Sequence, residues 1–335
     1  MKLLAQTAAA ALLCVLCSCG VASTLDTERS SRGVIAGANV LFIGNSLTAT
    51  ETSATGEDMP AVLSHLASSR GKTFSYKEAI NLGHTLQETW DAQIAQPFLT
   101  GVTHYDFIVL QEYSTVPVQN PTLFYNTAVV TYQPSVQRSL TTSGTVLLFE
   151  NWALTDLYPF STRADYTTAL DANYATLSGK LSTRNVIAPL SRAYEKVFAT
   201  KPQTYLLQDG KHPNDAGIYL DACVFYAVIY GESPVGLPAL YMSAADASFL
   251  QAVVAEVVPL PAVAPPDAGV DAGPVDGTDA GASPDGGVDP MGVDSTPIVP
   301  LHAASTGGGC SSSGAVLSWM AALGFVGLLA RSRRR

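Results

Sequence analysis

From about residue 36 onward, short apolar runs alternate with longer segments whose apolar positions recur every three or four residues. The first run is Val40-Leu41-Phe42-Ile43, bounded by Asn39 and by Gly44-Asn45-Ser46. A short β-branched and aromatic run that closes on turn residues predicts a buried strand entering a tight turn. Further strands are predicted over residues 74–80, 106–110, 145–149 and 185–190. Between them, helical spacing covers 57–69, with Met59, Val62, Leu63 and Leu66 on one face, and 85–98. It also covers 122–140, with an interruption near Pro134, which lacks an amide donor. Two more helices are expected over 165–182, with Leu170, Tyr174 and Leu177 on one face, and over 191–200. A loop through 206–213 leads to a helix containing Tyr219, Cys223, Phe225 and Ile229, capped by Asn214 or Asp215. A last amphipathic helix is predicted over 244–257. Strands alternating with helices imply βαβ units. The expectation is a three-layer α/β/α domain over 36–258 with a mainly parallel five-stranded sheet.

Composition separates this domain from its flanks. Residues 259–306 carry repeats of PDAG, VDAG and TDAG, with too little apolar bulk to offset ordering entropy, and read as an extended acidic linker. Seven of the 28 acidic residues lie there, Asp267, Asp271, Asp276, Asp279, Asp285, Asp289 and Asp294, with no Lys or Arg among them, and the formal net charge of the whole chain is -10. An acidic chain argues against a nucleic-acid partner. Of the five cysteines, only Cys223 falls in the middle of the chain, so no disulfide framework is available, and no zinc-type spacing occurs.

Residues 1–23 read as an export signal, with Lys2 before an apolar stretch, and 24–35 as a polar tether. The end of the signal, Leu16-Cys17-Ser18-Cys19-Gly20, resembles a bacterial lipobox, which implies lipid on Cys19. Residues 307–335 hold Gly309-Cys310, an apolar run over 315–330 and terminal arginines. That run is marginal for a permanent membrane span. The block resembles the myxobacterial C-terminal sorting tail, which implies processing at Cys310 by sorting machinery. These resemblances imply an exported protein held in the cell envelope, at the outer membrane or the cell surface, and attached to membrane through its termini. The catalytic domain itself is expected to be monomeric.

Acyl transfer needs a nucleophile, a base, a group that orients the base, and donors for the oxyanion. Candidates for all four fall at predicted strand ends or in the last loop. Ser46 follows the first strand, Gly83 the second and Gln111 the third, while Asp209 and His212 share the loop before the long late helix. In a parallel sheet these ends converge on the edge where ligands bind. Two residues between Asp209 and His212 let the carboxylate fold back to one ring nitrogen, leaving the other for a serine. Gly83 offers a backbone N–H with no side chain in the way. The alternative for Asp209 is helix capping beside a surface histidine. Asn45, His84, Glu112 and Trp152, all near strand ends, are candidate substrate-binding residues, with core packing the preferred reading of Trp152 and a structural carboxylate the alternative for Glu112.

GNSL at 44–47, Gly83, a polar residue at 111 and DGKHP at 209–213 together resemble the SGNH or GDSL superfamily of esterases and lipases. The likeness is to a bacterial branch whose first block reads GNS, and VLQEYS at 109–114 and HPNDAGIYLDACVFYAVIYGESPVG at 212–236 extend it. The resemblance implies a flavodoxin-like SGNH hydrolase fold and a metal-free, cofactor-free serine esterase. Ser46 would be the nucleophile, His212 the base and Asp209 its orienting acid, with Ser46, Gly83 and Gln111 forming the oxyanion hole. It points to an ester substrate such as an O-acetylated glycan. Two departures stand out: Asn45 replaces the usual aspartate, and Gln111 stands where the family offers an asparagine. The second departure motivates an alternative, a non-catalytic carbohydrate-binding protein on the same fold. A third reading, Asp209 and His212 as metal ligands of a phosphoesterase, lacks a second ligand cluster.

Overall fold

The computed structural model describes residues 35–260. The export signal, Cys19, nearly all of the tether and linker, Cys310 and the sorting tail lie outside the described residues.

Five strands form one parallel sheet in the order β2-β1-β3-β4-β5, from β1 (Gly37–Gly44), β2 (Thr73–Ile80), β3 (Tyr105–Leu110), β4 (Leu140–Phe149) and β5 (Asn185–Ala188). In β1, Val40, Leu41, Phe42 and Ile43 are all fully buried, as befits a strand covered on both faces. Successive side chains point to opposite faces. Val40 and Phe42 join one core, and Leu41 and Ile43 the other. The edge strand β2 alternates exposed with half-buried positions instead.

One face is covered by α2 (Met59–Ser69), α8 (Leu190–Phe198), α9 (Asp215–Tyr230) and α10 (Ala244–Val257), which pack on one another through α9. A helix that is apolar all round belongs inside, and every residue of α9 after Asp215 is buried. Asn214 caps it, accepting from the N–H groups of Ala216 and Gly217, and Gly231 ends it in the left-handed region at φ 67°.

The other face carries α3 (Leu86–Asp91), α4 (Val116–Gln119), α5 (Pro121–Asn126), α6 (Gln133–Ser139) and α7 (Arg163–Lys180). Here the local assignments differ from the periodicity. The expected helix over 85–98 ends at Asp91, and the chain resumes as a single tight turn at Gln96–Phe98. The helix over 122–140 is broken not at Pro134 but before it, by a π-type segment at Thr127–Tyr132. Pro134 then sits in the first turn of α6, where its missing donor costs nothing. The strand expected from residue 145 begins five residues earlier, at Leu140.

In this strand order the chain connects in opposite directions from β1 and from β3. The carboxyl ends of those two neighbours therefore open a crevice at the switch point.

Candidate active site

Ser46 stands at that crevice. Gly44 ends β1 with no room for a side chain: an added Cβ would lie 2.5 Å from the Gln111 Oε1. Asn45 then turns the chain, and its side chain caps the one-turn helix α1 (Ser46–Ala49) by accepting from the Leu47 N–H. This leaves Ser46, partly exposed, at the first position of a turn on a rigid strand end.

His212 reaches Ser46 from 166 residues further along the chain, with Nε2 2.9 Å from Oγ. Its Nδ1 lies 2.7 Å from Asp209 Oδ2. The other carboxylate oxygen accepts from the backbone N–H groups of Lys211 (2.9 Å) and His212 (2.7 Å). Partial burial alone would push the Asp209 carboxyl up. The ring bond to His212 and the two backbone bonds outweigh that and bring it down to about 2. An ionised carboxylate only accepts, so Nδ1 carries the ring proton and Nε2 presents its lone pair to the Ser46 hydroxyl.

The loop holding the acid and base is fixed from several sides. Gln208 N–H donates to the His212 carbonyl (3.0 Å), and Leu207 forms an antiparallel bridge with Pro213. The segment after β4 holds both residues between the acid and the base. Thr155 N–H donates to the Gly210 carbonyl at 2.9 Å, and the Trp152 indole N–H to the Lys211 carbonyl at 3.0 Å. Gly210 is required there. Its φ is +84°, and an added Cβ would meet the Thr155 side chain at 2.8 Å. Trp152 is fully buried and stacks flat on Tyr194 of α8, with centroids 4.0 Å apart and planes 4° from parallel.

Gly83 lies on the loop after β2, beside the end of β1: the Asn81 N–H donates to the Gly44 carbonyl at 2.9 Å. Among the described residues, neither the Gly83 N–H nor the Ser46 N–H donates to a protein acceptor. Both are available to a developing negative charge at this edge.

Two sequence-based assignments, Gln111 and Asn45, need correction, and for Glu112 and Trp152 the structural alternative holds. Gln111 is not an exposed donor. It is fully buried, and its Nε2 donates to Asn45 Oδ1 (3.0 Å) and the Glu112 carbonyl, while its Oε1 accepts from the Asn45 N–H (2.7 Å). The amide instead lies against Gly44 and Asn45 at the end of β1. Asn45 is likewise turned inward. It donates to the His84 carbonyl (2.9 Å) and thereby ties together the loops after β1, β2 and β3. Glu112 is buried; its Oε1 accepts from the Leu86 (3.0 Å) and Tyr113 (2.7 Å) N–H groups, joining α3 to the chain after β3. Burial pushes its carboxyl up to about 7, with its second oxygen unpartnered. Trp152 has no surface to offer a substrate and supports the loop of His212 instead.

His84 is exposed beside Gly83, with Nδ1 3.4 Å from Glu88. The positioning role of Thr155 and Gly210 escaped the sequence reading; the left-handed glycine between Asp209 and His212 was the available signal. Among the described residues, no group of three or more His, Cys, Asp or Glu side chains is arranged to hold a metal ion.

The chain matches no protein-family model and no curated protein. Among solved structures it is similar to a DUF4886 family protein from Bacteroides uniformis, at 13% identity and a TM-score of 0.53, over 66% of this chain and 94% of that one. It is also similar to a candidate SGNH hydrolase from Slackia heliotrinireducens, at 20% identity and a TM-score of 0.45, over 57% of this chain and 98% of that one. A lipase/acylhydrolase from Enterococcus faecalis aligns at 13% identity and a TM-score of 0.44, over 58% and 95% of the two chains. At these identities the first of the three shows a shared fold.

Proposed function

We propose that this chain is a serine esterase of the SGNH type. The observation that carries the reading is the continuous contact Ser46 Oγ–His212 Nε2 and His212 Nδ1–Asp209 Oδ2, at 2.9 and 2.7 Å. Ser46 Oγ attacks the ester carbonyl carbon while His212 Nε2 takes its proton, and Asp209 stabilises the imidazolium. The carbonyl oxygen becomes an oxyanion facing the N–H groups of Ser46 and Gly83. Collapse expels the alcohol, which takes the proton from His212. Water, activated by the same imidazole, then releases the acid and regenerates Ser46.

Gln111 contributes no donor to this oxyanion. Loss of one such donor typically costs about 3–4 kcal/mol in the barrier, so a modest turnover rate is expected. The lipobox-like segment at Cys19 and the tail at Cys310 support export and attachment at the cell envelope. There an O-acetyl group on a polysaccharide is the accessible ester.

A fluorophosphonate probe tests the nucleophile. It should label the wild-type chain and leave Ser46→Ala unlabelled; equal labelling of both rejects Ser46. Acetyl release from acetylated glycans and short aryl esters, again against Ser46→Ala, reports turnover. Glycan binding that survives Ser46→Ala, with no ester turned over by the wild type, would assign the chain to carbohydrate binding instead.

A further inference from the structure

Lys211 directly precedes His212 and is held at both ends. Its carbonyl accepts from the Trp152 indole. Its ammonium donates to the Tyr113 hydroxyl at 3.0 Å and sits 4.1 Å from the centre of that ring. Tyr113 follows β3 by three residues, and its own N–H is fixed by Glu112. The pair therefore bridges the chain after β3 to the loop of His212, across the edge that holds Ser46.

Fixing a flexible four-carbon stem costs rotamer entropy, and proteins commonly offset that cost with a carboxylate. Lys72, Arg163 and Lys196 each have one here. Lys211 has none within ion-pair distance among the described residues. Asp209, the nearest acid in sequence, has its two oxygens engaged by the His212 ring and by backbone N–H groups. A phenol supplies one acceptor and a π face, neither of which neutralises the charge. The result is a pre-positioned ammonium with donors to spare, one residue from the base.

We propose that Lys211, seated on Tyr113, binds a carboxylate of the substrate, so that the ester reaching Ser46 is carried on an acidic glycan with uronate residues. The assignment rests on the esterase reading for its chemistry and not for its binding. The ammonium holds the uronate of the sugar chain, and the acetyl carbonyl is thereby steered to the oxyanion donors. In an acidic chain such a lone cation also sets selectivity, because neutral glycans gain nothing from it.

Two substrates of matched acetyl content decide the matter: acetylated polygalacturonate and acetylated glucomannan. The wild type should show kcat/KM at least tenfold higher on the acidic one, and 0.5 M NaCl should erode that preference. Lys211→Met should bring the ratio close to one, while Lys211→Arg, which keeps the charge, should retain most of it. An unchanged ratio in Lys211→Met overturns the proposal. Equilibrium binding separates this failure from failure of the esterase reading. In a Ser46→Ala background, adding Lys211→Met should weaken binding to acetylated polygalacturonate about tenfold. Equal binding with and without Lys211 removes the anion site and leaves the hydrolase standing. A Lys211-dependent preference in a chain that turns over no ester does the reverse.

Discussion

Trp152→Phe separates holding the base from touching the substrate. Phenylalanine retains a ring to stack on Tyr194 and removes the one donor that reaches the Lys211 carbonyl. The residue is fully buried, so the change presents nothing new to a ligand. Losing a hydrogen bond while leaving its buried partner unpaired costs about 1–3 kcal/mol. Lys211 is partly exposed, so water can recover some of that, and the lower half of the range applies. The Thr155 bond to Gly210 and the bridge within the loop remain, so the loop keeps its place but loses one of the two bonds from the chain after β4. The imidazole must stay within hydrogen-bond reach of Ser46, and every 1.4 kcal/mol needed to restore that geometry lowers the rate tenfold. A fall in kcat of roughly 5- to 30-fold is expected, with KM within about twofold of wild type. The assay is steady-state hydrolysis of a short aryl acetate, with thermal melting alongside to show a folded protein. A raised KM with kcat intact would refute the reasoning, because it would mean the indole contacts substrate. An unchanged kcat would show that the remaining contacts of the loop suffice to seat it.

Gln111→Leu should act on stability before activity. It strands the Asn45 N–H and the Glu112 carbonyl in a buried site and leaves Asn45 Oδ1 with the Leu47 N–H, a loss of about 2–4 kcal/mol and roughly 4–16 °C in Tm by calorimetry; a wild-type Tm with lower kcat would restore it as an oxyanion donor. Stability should also decline as pH rises from about 4.5 to 8. Burial pushes Glu112 up to about 7, and burial together with the nearby Asp171 charge pushes Glu150 up to about 8, against 4.5 for the free side chain. In that window the folded chain holds protons that the unfolded chain has released, so ΔG of unfolding falls with pH. Glu150→Gln, which stays neutral throughout that window, should flatten the upper part of the decline in melts from pH 5 to 9; an unaltered pH profile would contradict it.

What was legible in the sequence follows from how locally each feature is determined. The strands were found because a parallel sheet buried on both faces forces continuous apolar runs, as in Val40–Ile43. The Asp209–His212 pair was found because two residues suffice to fold a carboxylate back onto an imidazole, a relation contained within one loop. Gln111 was misread because its role depends on a partner 66 residues away. An amide at a strand end can face the crevice or turn beneath it, and only the absent side chain of Gly44 reveals which. The missing donor of Pro134 points to an interruption near that residue, whereas the π-type turn lies just before it over Thr127–Tyr132, where Tyr132 packs on Trp90 and donates to the Leu86 carbonyl. Trp152 shows the same limit from the other direction. Core packing is the reading its sequence position favours, yet nothing local shows that its indole N–H is directed at the carbonyl preceding the base. The acid and base sit where β4, α8 and α9 meet, and their spacing in sequence works only because Trp152 and Thr155 hold the two residues between them. The short motif therefore has a long-range requirement: a donor from the chain after β4 for each carbonyl in the span, and a glycine at 210 that lets Thr155 come close enough to supply one.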